Sequence, residues 1–111
     1  MSDPLIKTAP SYSVDIHMAG SIAKAADVLQ LHAIERGMCV TLMPQTFVYS
    51  GGREEGFRVG IINYPRFPKT RVELVQLADE LADLLMQELG QHSYSIVTPD
   101  KTFWVSRREG A

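Results

Sequence analysis

A two-layer α+β sandwich is the fold class predicted by this 111-residue sequence. Three observations predict it: short segments whose apolar residues alternate with period two, two segments with apolar residues at helical spacing, and the order strand, helix, hairpin, helix, hairpin. That order is the one of a ferredoxin-like split βαβ, βαββαβ plus an extra C-terminal strand. An antiparallel sheet with both helices on one face is expected, its other face open or paired with another subunit. The first and third strands are then central and the second is an edge.

Each element has its own support. Residues 1–11, with Pro4 and Pro10, read as a tail, 12–106 as a single domain and 107–111 as a second tail. Tyr12, Val14, Ile16 and Met18 alternate with Ser13, Asp15 and His17, which is the pattern of a half-buried strand. Ser21 is suited to cap a helix over Ile22–Arg36 that Gly37 stops. Its inward stripe reads Ile22, Ala25, Ala26, Leu29 and Ala33, leaving Val28, Leu31 and Ile34 outward. Met38 to Pro68 holds the central hairpin, with Cys39–Met43, Phe47–Tyr49 and Phe57–Tyr64 rich in β-branched and aromatic residues.

The connection Ser50–Gly56 holds three glycines, which are expected to supply its positive φ angles. Pro44 removes a ladder hydrogen bond and so marks the first hairpin strand as an edge. Thr70 and Glu73 form a capping box for a helix that runs to Leu89, with Gly90 as its stop. Tyr94–Val97 and Thr102–Val105 are short strands across the turn Thr98–Lys101.

Composition limits the function classes. A formal net charge of −2 argues against a general nucleic-acid or anionic-membrane binder. The open face would offer RNA few aromatic platforms, since its central positions read Ser13, Asp15, His17, Arg58, Gly60 and Ile62. The one cysteine, Cys39, rules out an intrachain disulfide and is expected in the core, in a reducing setting. No apolar run suits a signal peptide or a membrane span, so the chain reads as soluble and cytoplasmic. No cofactor and no metal site are expected; His17 and His92 alone lack any ligand spacing.

No motif has chemistry as its only sensible explanation, but the topology gathers polar residues at one end. Gly20 and Ser21 at the start of the first helix, with Arg53, Arg58 and His92, are the candidate site for a small anionic ligand. The plainer alternative has Ser21 as a simple cap and the arginines paired with Asp15, Glu54 or Glu55. Asp15 and His17 are the catalytic candidates, a base with a carboxylate to orient it. His32 is read as a helix-terminal residue interacting with the dipole.

Outward Val28, Leu31 and Ile34, together with Phe103 and Trp104 on the last strand, predict self-association, a homo-oligomer with a dimer as the first choice. The leading functional expectation is a non-catalytic, self-associating module that binds a protein partner or a small anionic ligand. The alternative is a small enzyme acting on an anionic metabolite through Asp15, His17 and Arg58 on the open sheet face.

Overall fold

The computed structural model describes residues 3–108. Met1, Ser2 and 109–111, the ends of the two expected tails, lie outside the described residues. The elements follow in the order β1 (Ser13–Ala19), α1 (Ile22–Arg36), β2 (Thr41–Tyr49), β3 (Gly52–Ile62), α2 (Arg71–Leu89), β4 (Ser93–Val97) and β5 (Thr102–Ser106). All strand pairs are antiparallel and form one five-stranded sheet in the order β2-β3-β1-β4-β5. The first and third strands are therefore inside and the second is at the edge, with the extra C-terminal strand added beyond β4.

Alternation decides what each strand offers to the helices. Val14, Ile16 and Met18 of β1 and Phe57, Val59 and Ile61 of β3 are buried, and they form one core with Leu29 of α1 and Leu74, Leu81 and Leu85 of α2. Both helices thus cover the same face of the sheet. Residues one step out of phase, among them Asp15, His17, Arg58 and Gly60, lie on the uncovered face.

The helix ends are formed as their residues dictate. Ser21 Oγ accepts the Lys24 N–H at 3.3 Å, and Gly37 and Gly90 close the two helices in the left-handed region. Thr70 and Glu73 make both arms of the capping box, at 3.1 and 2.9 Å. Such a cap contributes about 1 kcal/mol.

Two readings of α1 require correction. Ala26 is exposed, whereas Val28, expected outward, packs against the core. The inward line is Ala25, Val28, Leu29 and His32, spaced i, i+3, i+4, i+7, so the helix is rotated from the expected orientation and Val28 leaves the outward group. His32 is accordingly no dipole partner at the surface: its side chain is only 11% exposed, beside Glu80 of α2. Leu31 and Ile34 remain outward, 59% and 72% exposed.

The hairpin also differs from expectation. Its strands run on to Tyr49 and Gly52, so the turn is Ser50 and Gly51 alone. Of the three glycines only Gly52 takes a positive φ, 148°. Gly56 instead lies inside β3, paired with Gln45 and Ala19. Pro44 sits in mid-strand without ending it, because β2 is an edge and needs no second partner for that backbone nitrogen. Cys39 precedes the strand and is exposed, not a core residue; its thiol donates to the Tyr64 hydroxyl at 3.4 Å.

One core group titrates within reach of experiment. Burial first, then the charges of Asp79 and Asp83, push the Tyr94 phenol above its ordinary value of 10.0. The folded chain therefore binds this proton more tightly than the unfolded chain. Its contribution is whole below pH 10.0 and is lost as pH rises through the raised value. Tyr94→Phe is expected to flatten the fall in melting temperature above that pH; an unchanged alkaline slope would show that other groups set it.

Candidate functional site

The uncovered sheet face can be built row by row from the register. One row crosses all five strands as Met43, Arg58, His17, Ser95 and Trp104. The next is Thr41, Gly60, Asp15, Val97 and Thr102. On the other side lie Gln45, Gly56 and Ala19, and beyond them Phe47 paired with Glu54.

A cavity of about 230 Å³ opens around His17. Its floor is His17 and Ser95, and Phe47, Tyr49 and Trp104 stand around it with Glu54 and His92. Trp104 is 60% exposed and Tyr49 56%, so their ring faces are open to a ligand. Aromatic faces with one carboxylate suit a flat heterocycle or a cation. The Phe47 ring lies over Gly56, where any Cβ would also come within 2.5 Å of the Met18 carbonyl oxygen. Glycine at this position is what lets Phe47 fold down across the sheet.

His17 is oriented by Gln45, not by Asp15. The Gln45 amide nitrogen is 3.0 Å from Nδ1. The amide donates, Nδ1 accepts, and the ring is held with its proton on Nε2. This bond passes over β3 from the edge strand, which is possible because the intervening position, Gly56, has no side chain. Asp15, two residues along β1, opens instead into a second cavity of about 560 Å³ with Ser13, Ile62, Asn63, Val97 and Thr98. Side chains two apart on a strand point the same way but stand about 7 Å apart, too far for a direct bond between short ones.

The other expected site residues are dispersed. Gly20 is not a free donor, since its N–H is bonded to the Glu55 carbonyl at 3.0 Å. With Ser21 spent on capping, the start of α1 offers little to an anion. Arg53 pairs with Val48 in the register, one step out of phase with Glu54, and so lies on the opposite face of the hairpin from the cavity. His92 and His17 do line the same cavity. Among the described residues no three His, Cys, Asp or Glu side chains come together as a metal site would need.

Arg58 pairs with no carboxylate among the described residues; its guanidinium touches only the Met43 sulfur, at 2.8 Å. Phe103 and Trp104 take opposite sides of β5, Phe103 on the helix side opposite Ile96 and Trp104 on the open side opposite Ser95. Phe47, Tyr49, Gln45 and Glu54 were not among the expected site residues. Their signal was the alternation of Gln45, Phe47 and Tyr49 after Pro44.

This architecture, an open antiparallel face with two helices behind it, is shared with enzymes of S-adenosylmethionine (SAM) breakdown. A phage SAM lyase in complex with S-methyl-5'-thioadenosine superposes with a TM-score of 0.71 at 12% identity, covering 99% of this chain and 100% of its own. A phage SAM lyase in the apo state superposes at 0.68 and 14% identity, over 97% and 99%. No family model matches the chain, and no curated protein does. The likeness overturns the expectation of a non-catalytic module: full-length counterparts of this fold are enzymes, which favours the alternative. No helix among the described residues is long and apolar enough to cross a membrane.

Proposed function

We propose that this chain is a small lyase that binds SAM in the cavity around His17 and releases S-methyl-5'-thioadenosine. The observation that carries the reading is that cavity, three aromatic rings and a carboxylate around an oriented histidine, set on a fold shared end to end with a SAM lyase. Adenine stacks on aromatic faces, and a sulfonium is attracted both to their π clouds and to Glu54. His17, neutral with its proton on Nε2, keeps one donor for the ribose or the ring nitrogens.

The chemistry asks little of the protein. S-methyl-5'-thioadenosine keeps the sulfur, its methyl and the nucleoside, so forming it from SAM breaks the bond from sulfur to the aminobutyrate Cγ. A carboxylate oxygen of the same substrate closes on Cγ to give a five-membered lactone. The electron pair of the broken bond stays on sulfur and cancels its charge. No water, base or oxidant is consumed. Opposite charges disappear together in this step, so a site less polar than water and a folded substrate both favour it.

SAM is the anionic metabolite of the expected enzyme only through its carboxylate; at sulfur it is a cation. Isothermal titration with S-methyl-5'-thioadenosine should give saturable binding at one site per chain, and the absence of binding at millimolar ligand would remove the proposal. Self-association belongs to the same reading, supported by Leu31 and Ile34 on α1 and by Phe103 and Trp104 on β5, all exposed. Light scattering should report more than one copy per particle; a monomer at high concentration would exclude it. A reducing, intracellular setting, in keeping with the exposed thiol of Cys39, completes the reading.

A further inference from the structure

Beside the aromatic cavity the open face carries two opposite charges that do not meet. Asp15 and Arg58 are diagonal neighbours across the central strand pair, Asp15 facing Gly60 and Arg58 facing His17. Diagonal neighbours are within reach of a long side chain, and an arginine could close on such a carboxylate. It does not: among the described residues neither is in an ion pair, and the guanidinium rests on a thioether, a weak acceptor.

On β3 the open-face positions read Gly56, Arg58, Gly60 and Ile62, so the arginine has a bare position on each side. Gly56 is roofed by Phe47, but Gly60 leaves floor between Thr41 and Asp15; a Cβ there would meet Thr41 Oγ1 at 2.5 Å and Asp15 Oδ1 at 3.4 Å. The Asp15 carboxylate also borders the cavity of about 560 Å³, whose walls hold the hydroxyls of Ser11, Ser13 and Thr98. A gap floored by glycine, with a cation on one side and an anion on the other, has the charge pattern of a zwitterion, reversed.

We infer that Arg58 and Asp15 read the two ends of an α-amino acid, Arg58 its carboxylate and Asp15 its ammonium. The inference rests on the lyase reading, in which the nucleoside occupies the aromatic cavity. It adds what that reading leaves open, that the chain selects nucleosides bearing an intact α-amino acid. Arg58 holds one carboxylate oxygen, which becomes the lactone carbonyl, and leaves the other directed at Cγ. Asp15 acts as a positioning residue through the ammonium.

The test uses two probes on the whole chain. S-methyl-5'-thioadenosine lacks the amino acid, whereas S-adenosylhomocysteine carries it on a neutral sulfur that is a poor leaving group. Titration of the wild type, Asp15→Asn and Arg58→Gln should show the affinity for S-methyl-5'-thioadenosine unchanged within about twofold, which also proves the variants folded. Affinity for S-adenosylhomocysteine should fall about tenfold or more in each variant, as expected for loss of one charge-assisted contact. If the wild type binds both probes and the variants keep full affinity for S-adenosylhomocysteine, this inference is overturned and the lyase reading stands. Equal loss for both probes in either variant also overturns it. If the wild type binds neither, the lyase reading has failed and takes this inference with it.

Discussion

A Gly56→Ala variant is expected to unfold about 10–20 °C below the wild-type chain. An added Cβ would run into the Phe47 ring and the Met18 carbonyl, 2.5 Å away, and the carbonyl belongs to the partner strand of the sheet. Phe47 can swing away, but the backbone of a central strand cannot move without disturbing its pairing. Overpacking of this kind costs roughly 1–3 kcal/mol, and the entropy that alanine removes from the unfolded chain returns less than about 1 kcal/mol. Gly51→Ala is the control, because a Cβ there meets only the exposed Tyr49 ring at 3.2 Å. It should leave stability within about 0.5 kcal/mol. Equal melting temperatures for the two variants would mean that the close approach at Gly56 is not what shapes this part of the sheet.

Trp104→Ala carries the largest expected effect on the ligand. Trp104 is the largest ring of the cavity and stands on the open side of an edge strand, 60% exposed, so its removal leaves little to repack. Losing one base-stacking surface should weaken binding of S-methyl-5'-thioadenosine about ten- to a hundred-fold, with the melting temperature of the free protein nearly unchanged. Trp104→Phe should recover most of that loss. An alanine variant that binds as the wild type does would place the nucleoside elsewhere.

The fold was legible because its signals are local. Period-two alternation in Tyr12–Met18, the Thr70 and Glu73 capping box and the stop glycines each depend on neighbours in the chain, and each lies where expected. Pro44 marked an edge for a reason that needs no tertiary contact.

The site was only partly legible, because it is assembled by register. Asp15 and His17 share a face, as alternation says, yet they open into different cavities. The partner of His17 is Gln45, 28 residues away and two strands over, and nothing in the spacing of the two announces that. The glycines of the hairpin misled for the same reason: Gly56 looked like turn chemistry, while its function is to leave room for Phe47 inside a strand. The orientation of α1 was misjudged because its apolar residues spread round much of the helix, so small differences in packing decide whether Ala26 or Val28 turns inward.

The central claim is that a cleft on the uncovered sheet face cleaves a sulfonium nucleoside. Incubating the purified chain with SAM and following S-methyl-5'-thioadenosine by mass spectrometry against a protein-free control tests it most directly. The account predicts that product far above the control, with the four-carbon fragment released as the lactone and not as the open hydroxy acid. A rate equal to the control, from chain that is folded and binds S-methyl-5'-thioadenosine, would contradict it.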